Sequence, residues 1–356
     1  WGPFGATFTP NQDLFGMYTN SSQAFDSVVA ATGLVVVMAA GNNRNDQWDG
    51  VTVIPGVTGP GLTPPPPDGA QPGGFDADSL SPRGVAKNVI TVGAMNAVSG
   101  AIAPFSDFGP TDDGRLKPDL VAHGVGTLSL DDASDTASVP LPGTSMAAPV
   151  VSGTVALLLQ QAERMNTTIT AAGVRAVLYQ TARDVQGVGQ ASTGPDYATG
   201  WGVVDAEAAV NMLRQDGLRE ATLTGEGAAN AWTHSLYIPH GTSETHVTLV
   251  WDDPAGNPAT AQDIPKLVND LDLRLISPTG VVFTPWTLDP ANPNQAAIRN
   301  GGNDSRNNVE QVSILAPDAG SWTVQVTANS GNLPIGTQDF AVAGILPHSD
   351  VVLVMD

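Results

Sequence analysis

Cysteine is absent from this sequence, so a disulfide framework, a thiolate metal site and a cysteine nucleophile are all excluded. Basic residues are scarce: 14 lysines and arginines stand against 35 aspartates and glutamates, for a net charge of −21. A chain of that charge repels phosphate backbones, so we expect no nucleic-acid partner. Unbroken apolar runs are short as well. None approaches the roughly 18 residues of a transmembrane helix, so we expect no membrane span.

The composition is nevertheless that of a folded, loop-rich protein. Hydrophobic residues make up 41% of the 356 positions, and the 39 glycines and 28 prolines indicate many turns. A chain of this length is typical of two domains. It begins at Trp1 with no visible signal peptide, so we expect either a processed polypeptide or a fragment truncated at its N-terminus.

Residues 1–213 alternate between helical and strand-like patterns. A helical stretch at 22–32 is followed by the apolar run 34–38, and a further short β-forming run occurs at 89–92. Nearly continuous apolar strands that alternate with helices are typical of a parallel sheet buried on both faces. We therefore predict an α/β fold for this part, with helices on both faces of the sheet. The Pro- and Gly-rich segment 45–80 is predicted to be an inserted loop.

After residue 231 only β-strand patterns occur. Runs of β-forming residues are separated by turns such as Pro278-Thr279-Gly280, and no helical periodicity is present. The predicted strands are 245–251, 271–276, 309–314, 322–326 and 340–342. We predict an all-β sandwich or jelly roll at 231–346, with a linker at 214–230 before it and a tail at 347–356 after it.

A serine stands where a long helix is predicted to begin. The segment Gly143-Thr144-Ser145-Met146-Ala147-Ala148-Pro149 runs directly into the apolar stretch 150–161. On its own, such a serine is far more often an N-cap than a nucleophile. Here a glycine and two alanines keep the start of the helix open, and its N–H groups can stabilise a developing oxyanion. Capping alone does not require these small residues.

The same segment resembles the serine motif of the subtilisin-like serine proteases, the subtilases of peptidase family S8. Four further stretches resemble that family, in the same order along the chain. They are Ala39-Ala40-Gly41-Asn42, then 88–94, then 105–110 with 117–122, and finally 200–206. The resemblance covers about residues 1–213. It implies a subtilisin-like parallel sheet, incomplete at its N-terminus, and a serine endopeptidase that acts on polypeptides.

The region of predicted strands has a resemblance of its own. Residues 250–254, 267–273 and 307–310 resemble the β-barrel that follows the catalytic domain in KP-43-type alkaline subtilases. This resemblance implies that the second domain binds calcium.

Four aspartates in that region are candidate calcium ligands: Asp252, Asp253, Asp270 and Asp272. They lie at turn or strand positions, and hard oxygen ligands at i, i+2 spacing suit Ca²⁺. For any one of them, a solvated surface position is about as good an interpretation in so acidic a chain. As a group, they favour a structural calcium site.

The subtilase resemblance implies roles for the residues of its motifs. Ser145 is the expected nucleophile, which attacks the scissile carbonyl and forms an acyl-enzyme. Asn42 is expected to donate its side-chain amide to the oxyanion; without Ser145, a turn residue would be the better interpretation. The expected substrate-binding residues are Trp1 and Gly2 on an edge strand, with Ala39, Ala40 and Gly41 at the pocket wall.

The other two triad residues have no candidates in the expected contexts. Subtilisins order Asp, His and Ser along the chain, yet no Asp-Thr-Gly or Asp-Ser-Gly occurs here. His123 stands where the family usually has proline, so we expect it to be structural. His240-Gly241-Thr242 follows the serine and precedes a strand, so we interpret it as a chance match. We therefore expect Asp and His upstream of Trp1, in a missing N-terminal segment that would be a partner of this chain.

Three functions remain open from the sequence. The first is a secreted, extracellular serine endopeptidase of which this chain is the C-terminal portion. The second is an inactive subtilase relative whose β domain binds protein or glycan, and the third is a structural surface protein. Ser145 together with Asn42 favours the endopeptidase, because an inactive relative has no reason to keep both. The extracellular location rests on the family resemblance.

Overall fold

The computed structural model describes residues 15–42, 44, 79–185, 193–329 and 331–346. Its first part is built on a parallel sheet with the strand order β1-β2-β3. The strands are β1 (Val37–Ala39), β2 (Ile90–Met95) and β3 (Leu120–His123). The central strand β2 is buried along its whole length, as expected for a mostly apolar strand of a parallel sheet. Val203 forms a further parallel bridge with Val121 of β3.

In the described residues, four α-helices accompany this sheet: α1 (Asn20–Thr32), α2 (Thr144–Arg164), α3 (Ala171–Thr181) and α4 (Ala206–Arg214). Gly33 ends α1 with a positive φ of 66°. Thr170 and Asp205 cap α3 and α4, because their side chains accept N–H hydrogen bonds from the first turn. α2 packs against all three parallel strands. Helices on both faces of the sheet stay a prediction.

Helix α2 has the length and apolar composition of a helix that could cross a membrane, although core helices of globular proteins share both properties. One side of α2 is buried against the parallel sheet. Apolar side chains on its remaining surface are exposed, among them Val150, Leu157 and Leu159. The described residues therefore cover this helix only in part.

A separate antiparallel hairpin lies between β3 and α2. It consists of β4 (Thr127–Leu130) and β5 (Ser138–Leu141). The sequence analysis did not predict it, because its strands are short and Pro140 argues against a strand. The proline is tolerated here because both strands of a two-stranded hairpin are edge strands.

Two four-stranded antiparallel sheets form the second part of the chain. Their strands are β6 (Leu218–Leu223), β7 (Trp232–Ile238), β8 (Glu244–Trp251), β9 (Asp272–Ile276), β10 (Val282–Phe283), β11 (Val309–Leu315), β12 (Gly320–Thr327) and β13 (Gln338–Ala343). The strand orders are β10-β9-β12-β7 and β11-β8-β13-β6. Inward-facing side chains of both sheets form one core around Trp251 and Trp322. All five strands predicted from the sequence correspond to strands of this unit.

The predicted linker at 214–230 differs from the structure. It contains β6, which pairs with β13 along its length, and a 3-10 turn at Ala228–Asn230. β6 lies at a sheet edge and has one fully buried residue, Leu223, so its sequence lacks the apolar run that indicates a strand. The antiparallel unit therefore begins at residue 218.

The two parts of the protein share an interior through α3. Residues 171–179 of this helix are all buried. Val174 and Val177 belong to the same apolar cluster as Val250 of β8 and Ala341 of β13. The sheet β11-β8-β13-β6 is therefore apolar on both faces, with the sandwich core on one and α3 on the other.

Candidate active site

Ser145 lies at the N-terminal end of α2, as the second residue of the helix. Its side chain is exposed, whereas the neighbouring Thr144 is fully buried. Gly143 precedes the helix with a φ of 150°, a conformation that favours glycine. Because α2 begins here, its unpaired N–H groups and the positive end of its dipole lie at Ser145, the predicted nucleophile.

Asn42, at the end of β1, is attached to the serine loop by its amide oxygen. Oδ1 accepts hydrogen bonds from the backbone N–H of Thr144 at 2.8 Å and from the Thr144 hydroxyl at 3.0 Å. Both lone pairs of this oxygen are therefore used, and the NH₂ group is left as the donor. Nδ2 lies 3.8 Å from the position that a Cβ atom would occupy on Gly143. The structure thus brings Asn42 and the loop of Ser145 together.

The residue before Asn42, Gly41, is closely surrounded by Asp107 and Thr144. Its φ is 130°, and a Cβ atom at this position would lie 1.8 Å from Oδ2 of Asp107, so a larger residue does not fit. The Gly41 N–H donates to the Thr144 hydroxyl at 3.2 Å, and its carbonyl accepts the N–H of Asp107 at 3.2 Å. The hydroxyl of Thr144 therefore connects both Gly41 and Asn42 to the start of α2.

The other predicted substrate-binding residues are placed differently. Ala39 is half-buried at the end of β1. Ala40 is fully buried in a small core cluster, so its methyl group does not line an open pocket. Ala40 is buried because the chain stays hydrogen-bonded to β2 after β1 ends: the Ala40 N–H donates to the Val92 carbonyl at 3.0 Å. Trp1 and Gly2 lie outside the described residues.

A buried ion pair fixes the strands behind the site. Nζ of Lys117 lies 2.6 Å from Oδ2 of Asp119, and both side chains are almost fully buried. The same carboxylate oxygen accepts the N–H of Thr91 at 2.7 Å, which joins β2 to the start of β3. Burial lowers the pKa of Lys117 from its ordinary value, although Asp119 opposes this shift. The Lys-Pro-Asp motif therefore has a structural role here.

None of the histidines within the described ranges hydrogen-bonds to Ser145. The ring of His123 accepts the backbone N–H of Ala97 at 3.2 Å through Nδ1, which agrees with the expected structural role. His240 is exposed in the turn between β7 and β8, inside the antiparallel unit. In this part of the chain, Ser145 has no hydrogen-bonded base.

Asp252 and Asp253 form ion pairs, which differs from the predicted calcium site. Arg175 of α3 lies 2.5 Å from Oδ1 of Asp252. Lys87 contacts Asp253 in a pair whose two side chains are fully buried, and Asp253 also accepts two backbone N–H hydrogen bonds. These ion pairs connect the two parts of the protein. Because the basic groups already neutralise both carboxylates, Asp252 and Asp253 do not suit a metal cation.

The surroundings of Asp270 and Asp272 fit a cation better. Oδ1 of Asp270, Oδ1 of Asn269 and Oε1 of Glu310 are buried without a hydrogen-bond partner. Burial and the neighbouring carboxylates, first of all Asp272, raise the pKa of Asp270 to about 7. Asp272 itself lies 3.1 Å from the guanidinium of Arg274. No group of three or more carboxylates and histidines in the described ranges is close enough to enclose a metal ion.

Glu310 is a residue that the sequence analysis missed as a candidate ligand. It is fully buried, and burial raises its pKa well above the ordinary value, with a further contribution from Asp304. The Asn-Asn-Val-Glu segment at 307–310, which carries part of the resemblance to KP-43-type enzymes, was the signal that could have identified it.

A comparison with known protein families matches residues 1–202 to the Subtilase family, Peptidase S8. The match covers more than half of the chain and includes both Asn42 and Ser145. This chain belongs to the subtilase family. The antiparallel unit lies after the matched residues.

The relatives of this subtilase include proteins named as serine proteases. Serine protease/ABC transporter B family protein tagA of Dictyostelium discoideum is 27% identical over 278 residues, 67% of this chain and 15% of that protein. Serine protease AprX of Bacillus subtilis is 38% identical over 106 residues, 25% of this chain and 24% of that protein. The chain spans about a quarter or less of the length of these two relatives. Among solved structures, the patellamide maturation protease PatA is 25% identical, with 56% of this chain and 58% of that chain covered and a TM-score of 0.41.

Proposed function

We propose that this subtilase is a serine endopeptidase in which Ser145 attacks the scissile carbonyl of a polypeptide. The hydroxyl proton passes to a general base as the Ser145 oxygen bonds to the carbonyl carbon. The base then gives that proton to the amine nitrogen as the C–N bond breaks, and water hydrolyses the resulting acyl-enzyme. Nδ2 of Asn42 and the backbone N–H of Ser145 would donate to the oxyanion. The observation that carries this proposal is the attachment of Asn42 Oδ1 to Thr144, which leaves the Asn42 NH₂ group beside the serine loop.

The general base and its orienting carboxylate are proposed to come from chain upstream of Trp1. Two observations support this. His123, the histidine nearest in sequence before Ser145, is already bonded to the Ala97 backbone. In addition, helix α2 keeps apolar side chains such as Leu157 exposed, although a helix that is apolar on every side is normally enclosed. In this proposal, a further part of the protease domain covers this surface and supplies the base.

The antiparallel unit is proposed to be the calcium-binding β-barrel, or jelly roll, of a KP-43-type enzyme. Its two sheets around one core agree with that architecture. Asn269, Asp270 and Glu310 each have a buried side-chain oxygen without a hydrogen-bond partner, and hard oxygen atoms of this kind are the ligands that Ca²⁺ prefers. Asp272 would contribute as a neighbouring charge. Bound calcium would neutralise these buried carboxylates and so stabilise the fold.

An extracellular location is part of the same proposal. Among the relatives, the extracellular basic protease of Dichelobacter nodosus is 35% identical over 134 residues, which are 36% of this chain.

A fluorophosphonate probe, which phosphonylates activated serines with loss of fluoride, tests the proposed activity. We expect weak labelling of this chain and strong labelling of Ser145 in the same protein extended upstream. Ser145→Ala should abolish labelling of the extended protein. Ser152→Ala is the matched control, because Ser152 is also exposed in α2 and donates only to the Ala148 carbonyl. Strong labelling of this chain alone would contradict an upstream base, and an upstream sequence without Asp and His motifs would contradict the protease.

A further inference from the structure

The hairpin β4–β5 carries an apolar face that the rest of the described structure leaves uncovered. Leu128 pairs with Pro140 in the antiparallel register, and directly opposed residues share one face of a sheet. Leu130, two residues after Leu128, lies on the same face. Leu128 and Leu130 are 68% and 84% exposed, and Pro140 is exposed too. Such a cluster of apolar side chains on an exposed hairpin indicates a binding surface.

The backbone of the hairpin is available as well. β4 and β5 form a sheet of two strands, and no other strand of the described residues pairs with either outer edge. An extended peptide can add to a free edge by main-chain hydrogen bonds, with every second side chain on the same face. The two-residue spacing of Leu128 and Leu130 suits a peptide with apolar residues at alternate positions.

The tip of the hairpin is acidic. It contains Asp131, Asp132 and Asp135, and residues 127–141 include no lysine or arginine. The Asp131 N–H donates to the Ala137 carbonyl at 3.0 Å, which closes the tip into a defined turn. A peptide that reaches this end of the hairpin therefore meets negative charge, which favours lysine or arginine.

The base of the hairpin is joined to the nucleophile loop. Gly143 lies two residues before Ser145, and its N–H donates to the Gly124 carbonyl at 2.8 Å. A Cβ atom on Gly124 would lie 2.7 Å from the Gly143 carbonyl oxygen, so the segment before β4 and the segment after β5 are in close contact at this point. A polypeptide bound along the hairpin would consequently approach the serine loop from the side of β5.

We propose that the hairpin β4–β5 is a docking site for the polypeptide substrate, selective for extended segments with alternating apolar residues and lysine or arginine at one end. This inference rests on the proposed function of Ser145. The free edge would bind the backbone of the substrate. The apolar face of Leu128, Leu130 and Pro140 would contact the apolar side chains of the substrate, and the aspartates at the tip would pair with its basic residues.

Fluorescence anisotropy tests the proposal with a fluorescein-labelled peptide that has leucine at alternate positions followed by two lysines. The protein is the full chain with Ser145→Ala, so that no turnover occurs and binding is measured apart from reactivity. We expect Leu128→Ser/Leu130→Ser to raise Kd by about tenfold. The matched control is Ile298→Ser/Ile335→Ser, because these residues are 61% and 60% exposed in the antiparallel unit. The control should leave Kd unchanged.

A second pair of variants tests the charge at the tip without altering the apolar face. Asp132→Asn/Asp135→Asn should weaken binding by about fivefold at low salt, and the difference should fall as salt is added. Asp263→Asn/Asp318→Asn removes the same charge from exposed positions elsewhere and should have no effect.

Three outcomes would overturn the docking site. One is equal Kd values for the parent and both hairpin variants, and another is equal affinity for a peptide with aspartates in place of the lysines. The third is sedimentation that shows a second copy of the chain on the hairpin, lost in Leu128→Ser/Leu130→Ser, without peptide binding. Fluorophosphonate labelling of the upstream-extended protein, in which Ser145 is kept, reports the proposed activity independently. It should not change when the hairpin substitutions are introduced, so the two proposals can fail separately.

Discussion

The amide oxygen of Asn42 accepts two hydrogen bonds from one residue, Thr144, whose backbone N–H and hydroxyl lie 2.8 Å and 3.0 Å away. Thr144 is fully buried, and its hydroxyl also accepts the Gly41 N–H at 3.2 Å. This one side chain therefore sets the position of the proposed oxyanion donor relative to the helix that carries Ser145. A donor aimed in advance at the developing charge is the largest single contribution in many acyl-transfer enzymes.

Thr144→Val tests this positioning, because valine keeps the shape of threonine and removes the hydroxyl. We expect kcat/KM of the upstream-extended protein to fall by about fivefold, since Asn42 loses one of its two anchors and about 1 kcal/mol of hydrogen bonding. The decrease should appear in kcat with KM nearly unchanged. Thr144→Ser keeps the hydroxyl and should retain most of the activity. Equal rates for the two variants would contradict the positioning role.

Lys87→Met tests the buried connection between the two parts of the protein. Lys87 donates to the Asp253 carboxylate and to two carbonyl groups of the antiparallel unit, so its loss leaves a buried carboxylate without a neutralising cation. We expect the free energy of unfolding to fall by about 3–5 kcal/mol, measured by chemical denaturation. Adding Asp253→Leu should recover part of that loss. A double variant less stable than either single variant would contradict this account.

Asp196 predicts a pH dependence of stability. Burial is the main cause that raises the pKa of its carboxyl from 3.8 to about 6, although the N–H groups of Ala198 and Thr199 donate to it. Between these values the folded chain binds more protons than the unfolded chain. The free energy of unfolding should therefore decrease as pH rises from about 4 to about 6, by up to about 3 kcal/mol.

Asp196→Asn should remove this decrease and make the protein more stable at pH 7, because asparagine can accept the same N–H hydrogen bonds without a charge. Denaturation at a series of pH values measures the slope. Asp318→Asn, at an exposed position, is the control and should keep the slope of the parent. A parent-like slope in Asp196→Asn would rule out this residue as its source.

Calcium is expected to raise the thermal stability of the chain. At a free concentration 100 times Kd, binding to the folded state alone adds about 2.7 kcal/mol. Asp270→Asn and Glu310→Gln should each weaken the binding that isothermal titration calorimetry measures, because each variant removes an unpartnered buried carboxylate. Asp318→Asn should bind as the parent does. A melting temperature that is the same in calcium and in chelator would contradict the site.

Much of the fold could be predicted from the sequence because its strands and main helix have regular patterns. β2 and β8 lie in the β-forming runs predicted at 89–92 and 245–251, and α2 follows the serine motif as expected. Asn42 and Ser145 are more than 100 positions apart, yet each ends or begins a predictable element of the same fold. Their meeting therefore follows from the family resemblance.

The features that were missed depend on contacts between distant parts of the chain. β6 is an edge strand that forms because β13 is available to pair with it. Asp253 gave the pattern of a calcium ligand, but Lys87, 166 residues away in sequence, occupies its carboxylate. Sequence spacing shows which carboxylates are near each other along the chain. It does not show whether a lysine from a distant segment neutralises one of them in the folded protein.

Helix α3 contributes side chains to one apolar cluster together with strands of the antiparallel unit. A chain of this construction does not behave as two independent modules, because removing the antiparallel unit would expose the side of α3 that packs against β8 and β13. Calorimetric unfolding of the described parts should then occur as one cooperative transition. Proteolysis near residue 215 would leave two fragments that remain associated until both unfold.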